Sequence, residues 1–240
     1  MNAKRIIQFA DHAVNAFVAI FCIVCLLYGG YALWDNMQID KQADPTLYKT
    51  YRPAKDDLSF QELRKLNAEV FGWISIPHTA IDYPLVQGEN NTKYVNTDPK
   101  GDFALSGSIF LDCHNAKDFS DMNSIIYGHH MEKAAMFGQL DDFASEKYFQ
   151  KHAKGRLYYQ AQWHDVEFFA FLYADAYDEI LYDTELSLKE QQAYLSYVKQ
   201  QAHIFKDIDF KENEHYVTLS TCATDTTNGR YLLIGRIKHA

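Results

Sequence analysis

His215–Cys222 reads HYVTLSTC and ends in a thiol, and Arg230 opens the next apolar run eight residues later. The β-branched and aromatic residues of both runs predict strands. Alternate residues of a strand share a face, so Cys222 lies on the face that carries the hydroxyls of Thr218 and Ser220. The sequence therefore predicts two neighbouring strands whose ends bring a thiol and a guanidinium together on a polar face.

A short strand upstream, NSIIY at Asn123–Tyr127, runs into Gly128 and then into two imidazoles, His129 and His130. Adjacent strand residues point to opposite faces, so only one of the two histidines can meet the sulfur of Cys222. The pattern alone leaves both open. A cysteine with a histidine and an arginine at three strand ends indicates acyl transfer through a thioester.

Residues 13–34 carry no charged side chain. A helix of that length, at about 1.5 Å per residue, can cross a hydrocarbon core of roughly 30 Å. We expect a transmembrane anchor; a cleavable signal peptide is the alternative, but the run is long and no small-x-small cleavage pattern follows it. Lys4 and Arg5 precede the span, so residues 1–12 are expected in the cytoplasm and the remainder outside the cell.

Beyond the span, residues 35–57 are polar, contain two prolines and are interpreted as a stalk. Residues 58–240 are long enough for one domain with a sizeable core. The net charge of −9 and the lack of a long Lys/Arg run argue against a nucleic-acid partner, because phosphate binding needs a clustered basic surface.

The pattern within the domain alternates between helix and strand. Ser59 and Ser187 each begin a capping box that predicts a helix start, and residues 136–152 have helical character. Short runs bounded by turn residues predict strands at 72–77, 81–86, 107–112, 155–162 and 166–174. So many short strands need their edges covered, so we predict a mainly β fold with inserted helices, closed into a barrel.

The residues at these strand ends resemble those of class B sortases, the membrane-anchored cysteine transpeptidases of Gram-positive cell surfaces. The resemblance rests on Thr218–Cys222, which fits a T-L-x-T-C signature. It rests also on Tyr127–His129 with Met131 behind it, and on Arg230 at the start of the last strand. It extends over the layout of residues 58–238.

This resemblance implies an eight-stranded sortase β-barrel with an N-terminal helical segment and an extra helix before the cysteine strand. It implies that the enzyme cleaves the C-terminal sorting signal of surface proteins after Thr. The acyl group would then pass from a thioester on Cys222 to an amine of a peptidoglycan precursor or a pilin. By the same resemblance His129 is the general acid/base, rather than His130, and Arg230 stabilises the transition state. No cofactor is expected.

The reactive form has Cys222 deprotonated and His129 protonated, so we expect a bell-shaped pH profile. A lysine should replace Arg230 poorly because it lacks the planar fork. Ser220 and Thr221 are weaker candidates for substrate binding. The polar loop residues that follow more often make local turn bonds; they are Asp225, Thr226 and Thr227.

The four cysteines fall into two pairs. Cys22 and Cys25 lie inside the membrane run and are interpreted as small apolar side chains rather than a redox pair. Cys113 and Cys222 lie outside it, where exported proteins often form disulfides, so a bridge between them stays open.

Cys113 and His114 stand where such sortases often carry an aromatic and a basic residue, which leaves open whether Cys113 lies near the site. A zinc site built from these two with His129 and His130 is an alternative, but the spacing is not that of a zinc motif. We therefore expect no metal.

Two functions of other classes remain as alternatives, a secreted cysteine hydrolase and a non-catalytic, surface-anchored adhesion module. The anchor and Arg230 favour a transpeptidase over the first, and an adhesion module would need neither residue of the thiol–guanidinium pair. The sorting motif and the acceptor amine stay open, because specificity depends on strand and loop side chains whose positions the sequence does not fix.

Overall fold

A computed structural model describes residues 3–54, 58–223 and 227–238, without the side chain of Lys133. The chain divides into two units, Met1–Lys41 and Gln42–Ala240. The expectations for Asp225 and Thr226 concern positions outside the described residues.

The first unit is helical. Helix α1, Ala3–Gln42, has no buried residue. It includes a segment long and apolar enough to cross a membrane by length and composition, with a mean hydropathy of 2.3. This agrees with the predicted N-terminal span.

The second unit begins earlier than the predicted domain boundary at residue 58. A 3-10 helix, Pro45–Tyr51, follows α1 within the interval predicted as a stalk. Tyr48 is buried in the core cluster that also holds Phe60 and Trp73, and the Tyr83 hydroxyl donates to the Ala43 carbonyl (2.8 Å). Residues 43–51 of the predicted stalk therefore pack within the second unit.

Nine strands and three further α-helices are present in the described part of this unit. The strands are β1 Val70–Ser75, β2 Asp82–Val86, β3 Ile109–Leu111, β4 Asn123–Tyr127, β5 Lys154–Tyr159, β6 Gln162–Asp175, β7 Ile204–Phe205, β8 His215–Cys222 and β9 Gly229–Lys238. The helices are α2 Leu58–Leu66, α3 Glu146–Lys151 and α4 Gln191–Gln201.

The strands form one sheet in the order β5-β1-β2-β3-β4-β8-β9-β6-β7, and pairing of β5 with β6 closes eight of them into a barrel. The short strand β7 pairs with β6 outside the ring. The pairs β2–β3 and β4–β8 are parallel, and the other pairs are antiparallel. The predicted eight-stranded barrel with inserted helices is confirmed.

Strand β8 is covered on both faces, and this arrangement positions the site. Val217 and Leu219 point into the main core cluster inside the barrel. On the opposite face α4 packs Tyr194 over the strand, and its hydroxyl lies 3.5 Å from Thr218 Oγ1. The predicted polar face is therefore buried along most of its length, and only Cys222 at its end is exposed.

The helix predicted over residues 136–152 is divided. A 3-10 helix, Gly138–Ala144, is followed by α3, because Ser145 between them is extended (φ −83°, ψ 119°). The capping box predicted at Ser59 is also wrong: Ser59 lies inside α2, and its hydroxyl donates to the Arg52 carbonyl (3.4 Å). At Ser187 the capping box is present and leads through a 3-10 turn into α4.

Candidate active site

The paired ends of β8 and β9 bring the predicted thiol and guanidinium together. Cys222 and Arg230 are Cα partners in the antiparallel pair, so their side chains lie on the same face of the sheet. Cys222 is exposed and is a free thiol. Arg230 is half-buried, and its Nη1 donates to the Gly229 carbonyl (2.8 Å). Within residues 3–54, 58–223 and 227–238, no carboxylate forms an ion pair with Arg230.

Strand β4 carries His129 to the same level. The parallel register pairs Tyr127 with Ser220, and the Gly128 N–H continues it by donating to the Ser220 carbonyl (3.2 Å). Two residues beyond this pair, His129 follows the end of β4 and Cys222 ends β8. A Cβ at Gly128 would collide with Ile109 and Phe137, so close packing explains the glycine before the histidine.

The His129 ring is fixed by a backbone contact. Its Nε2 lies 2.8 Å from the Val95 carbonyl oxygen, which can only accept a hydrogen bond. Nε2 therefore carries a proton, and Nδ1 is the ring nitrogen left to exchange protons with other groups.

His130 points elsewhere. Its Nε2 lies 3.2 Å from Asp141 Oδ2, and its ring packs near Tyr231 (centroids 6.0 Å apart). Of the two histidines, His129 is therefore the one that lines the cleft, and it is also the one that the sequence resemblance favours.

These groups surround a cleft of about 400 Å³. It is lined by Asn91, Val95, Phe110, Tyr127, Gly128, His129, Ala176, Tyr182, Ser220, Thr221, Cys222 and Arg230. All five site residues expected from the sequence are among them. The polar atoms sit on apolar and aromatic walls, which is typical of sites that bind an extended organic ligand.

Tyr182 forms one wall of the cleft and was missed by sequence reasoning. Its hydroxyl lies 2.8 Å from Ser220 Oγ, and its ring is parallel to Tyr127 (centroids 6.4 Å, 5° between planes). Burial raises the pKa of Tyr182 to about 12, although the Ser220 hydrogen bond and the Arg230 charge oppose the rise. Tyr182 is therefore a neutral hydroxyl near Arg230. It lies in the segment between β6 and α4, where no periodic pattern could have marked it.

Ser220 and Thr221 differ in their surroundings. Both side chains are buried, and Ser220 Oγ is held by Tyr182. The Thr221 hydroxyl has no hydrogen-bond partner among the residues that the structure describes. Both residues line the cleft, but Ser220 shares the strand face of Cys222, whereas Thr221 lies on the face that also carries Leu219.

A second wall of the cleft is held in place by hydrogen bonds to Asp112, which follows β3. Its Oδ2 accepts hydrogen bonds from Asn91 Nδ2 (2.7 Å) and from the Tyr127 hydroxyl (2.9 Å). Burial first, and the Asp112 charge next, raise the pKa of Tyr127, so its phenol stays protonated. The carboxylate therefore fixes two cleft residues, Tyr127 and Asn91, and the sequence pattern did not single out Asn91.

Cys113 lies next to this wall and is not joined to Cys222, since both are free thiols. Burial and the neighbouring Asp112 carboxylate raise the pKa of the Cys113 thiol. Cys113 and His114 do not cluster with the two later histidines, because His129 is bonded to Val95 and His130 to Asp141. The four-residue zinc site considered from the sequence is therefore not assembled.

Comparisons with known proteins match this architecture. The family described as the sortase domain matches residues 74–238. Sortase B of Listeria monocytogenes is 33% identical over 186 residues, which cover 76% of this chain and 74% of that protein.

Two solved structures are also similar. A Streptococcus pyogenes class B sortase involved in pilus biogenesis has a TM-score of 0.70 and 36% identity, and the match covers 75% of this chain and 98% of that one. Sortase B from the type II pilus of Streptococcus pneumoniae has a TM-score of 0.66 and 39% identity, covering 75% and 99%.

The chain forms a closed eight-stranded β-barrel, and a thiol, an imidazole and a guanidinium line one cleft. These features are those of a β-barrel cysteine enzyme. The chain belongs to the sortase family, whose members are cysteine transpeptidases, and its relatives place it in class B. The apolar helix α1 is compatible with the membrane anchor expected of such an enzyme.

Proposed function

We propose that this enzyme cleaves a C-terminal sorting signal after Thr, holds the acyl group as a thioester on Cys222, and transfers it to an amine. The observation that carries the proposal is the register of three strand ends. Cys222 is exposed opposite Arg230 and level with His129, all on one cleft. A nucleophile, an acid/base and a fixed cation within one site are the groups that this acyl transfer requires.

In the first half-reaction the Cys222 thiolate attacks the Thr carbonyl carbon. Arg230, which has no carboxylate partner among the described residues, stabilises the oxyanion. His129 gives a proton to the leaving amide nitrogen as the C–N bond breaks and the S–C bond remains. We assign that proton to Nδ1, because the Val95 carbonyl retains the proton on Nε2.

In the second half-reaction an amine attacks the thioester, and His129 Nδ1 takes up its proton as the thiolate leaves. The acceptor is an amine of a peptidoglycan precursor or a pilin lysine. Two class B sortases with pilus roles are 36% and 39% identical to this chain, which supports the pilin lysine.

The proposed topology keeps residues 1–12 in the cytoplasm and the β domain outside the cell. Lys4 and Arg5 before the apolar run support this orientation through the positive-inside tendency. The anchor would hold the cleft on the membrane side where surface proteins emerge.

The test uses the full-length chain in detergent micelles with a library of short sorting-signal peptides. Intact-protein mass spectrometry should detect an acyl adduct on Cys222 that is absent in Cys222→Ala. With an amine present, the product should be mainly the amide; free acid in unchanged yield would favour a hydrolase. Folded protein that forms no adduct with any peptide would favour the adhesion module.

A matched pair of neighbouring histidines sharpens the assignment. His129→Asn should slow acyl-enzyme formation by about 10²–10⁴-fold, the usual contribution of general acid–base catalysis. His130→Asn changes an imidazole one residue away that faces Asp141 and should have little effect. A pilin-derived lysine peptide and a peptidoglycan stem-peptide amine, compared as acceptors, test the proposed acceptor.

A further inference from the structure

Three side chains of the types that ligate metal ions cluster beside the cleft and have no part in the proposed reaction. Asp112, Cys113 and His114 follow β3 directly, and one ligand atom of each lies within 4.8 Å of the other two. His114 Nδ1 lies 3.6 Å from Cys113 Sγ and 2.9 Å from Asp112 Oδ1.

These distances approach the edges of a tetrahedral zinc site. With Zn–S near 2.3 Å and Zn–N near 2.0–2.1 Å, a tetrahedral angle separates sulfur and nitrogen by about 3.5 Å. The Cys113–His114 separation matches that value. The nitrogen–oxygen edge would be about 3.4 Å, so His114 would have to move away from Asp112 by about half an ångström. His114 can do so because its side chain is 70% exposed.

The backbone and carboxylate of this turn are already held in place. Asp112 Oδ2 is fixed by Asn91 and Tyr127, which leaves Oδ1 facing His114. The Cys113 N–H donates to Asn91 Oδ1 (2.8 Å), and the His114 N–H donates to Asp112 Oδ1 (2.9 Å). Hydrogen bonds behind a ligating carboxylate are the usual outer support of a metal site.

We propose that Asp112, Cys113 and His114 form a site for a thiophilic divalent cation such as Zn²⁺ at the rim of the cleft. Cys113 binds as the thiolate and releases its proton to solvent. His114 binds through Nδ1 with its remaining proton on Nε2, so the cation replaces the His114–Asp112 hydrogen bond. Water completes the coordination on the exposed side. The site is separate from Cys222 and does not depend on the proposed transpeptidation.

Cobalt titration of the untagged full-length chain in detergent micelles tests the site. The background variant carries Cys22→Ala, Cys25→Ala and Cys222→Ala, so that Cys113 is its only thiol. Added Co²⁺ should produce a thiolate-to-cobalt charge-transfer band that saturates at a 1:1 ratio and disappears when Zn²⁺ is added. Cys113→Ser in this background should abolish the band.

His114→Asn should weaken cobalt binding by more than about tenfold, since even an outer-shell partner costs 10–100-fold. The matched control is His78→Asn, which changes another exposed histidine, between β1 and β2. Absence of the band while circular dichroism shows folded protein would overturn the proposal. Binding that His114→Asn and His78→Asn weaken equally would also overturn it.

Discussion

Strand β9 carries two arginines six residues apart, so alternation puts Arg230 and Arg236 on the same face. Arg236, near the C-terminal end, donates to Glu214 Oε1 (2.7 Å) and to Glu167 Oε2 (2.9 Å). Arg230, at the cleft end, donates to the Gly229 carbonyl. Within the described residues it forms no ion pair with a carboxylate.

The difference separates a structural guanidinium from one available to a ligand. Desolvation lowers the pKa of Arg236, but its interactions with the Glu214 and Glu167 carboxylates raise it by more. The positive charge of Arg236 is therefore neutralised within the protein. A guanidinium that is not neutralised by a carboxylate can stabilise negative charge that develops on a bound substrate. We therefore expect changes at the cleft end to affect activity, and changes at the Arg236 end to affect stability.

The largest expected effect is the loss of the thiol. Cys222→Ala should lower kcat/KM by about 10³-fold or more, because no other group can form the thioester. Cys222 is exposed, so the free energy of unfolding should change by less than about 0.5 kcal/mol. Peptide turnover and thermal unfolding measure the two quantities. Cys25→Ala, a thiol in α1, is the control, and equal losses in both variants would contradict the assignment.

The two arginines provide a matched pair of substitutions. Arg230→Lys should reduce kcat by about 10²–10³-fold, the usual cost of removing an oxyanion donor, and leave stability nearly unchanged. Arg236→Lys should leave kcat within a few-fold and lower the free energy of unfolding by about 1–3 kcal/mol, since lysine cannot bridge two carboxylates as the fork does. If both substitutions reduced kcat equally, the proposed division between a catalytic Arg230 and a structural Arg236 would be wrong.

Glu167 gives the Arg236 end a predicted pH dependence. Burial opposes its ionisation, but hydrogen bonds from Lys238, Arg236 and Lys206 outweigh burial and lower its pKa to about 2. A lowered pKa stabilises the fold above the unfolded-state value of about 4.3 and loses that contribution as the pH falls toward 2.

Glu167→Gln should therefore cost about 1–3 kcal/mol at pH 7 and progressively less below about pH 4. Unfolding of both proteins followed by near-ultraviolet circular dichroism across this pH range measures the difference. A constant difference at every pH would show that packing, rather than charge, sets the contribution of Glu167.

The sequence could predict the strand-borne part of the site because alternation and strand ends are local properties. Cys222 ends β8, Arg230 is the second residue of β9 and His129 follows the end of β4, and the barrel brings those ends together. The histidine pair could be resolved only by the resemblance, since the contacts that separate them are made with Val95 and Asp141.

The missed residues depend on long-range packing. Tyr182 and Asn91 lie in loops without periodicity, and their roles follow from contacts with residues distant in sequence, Ser220 on β8 and Asp112 after β3. The single helix predicted over residues 136–152 was wrong for a related reason. Phe137, Leu140 and Phe143 reach the core from a 3-10 helix and its flank, so their spacing resembled that of an α-helix.

The smallest expected effect concerns Tyr182, the missed cleft residue. Tyr182→Phe keeps the ring beside Tyr127 but removes the hydroxyl bonded to Ser220. Losing one neutral hydrogen bond costs about 0.5–1.5 kcal/mol, so we expect KM for the peptide to rise by a few-fold with little change in kcat. Since the pKa of Tyr182 is about 12, this rise should be the same from pH 6 to about pH 10.

Tyr197→Phe is the control, because Tyr197 on α4 also donates one hydrogen bond, to Asp178, but does not line the cleft. A fall in kcat with unchanged KM in Tyr182→Phe would instead connect this hydroxyl with the charge that develops near Arg230. Tyr182 would then assist Arg230 in stabilising the transition state, rather than only forming a wall of the cleft that binds the peptide.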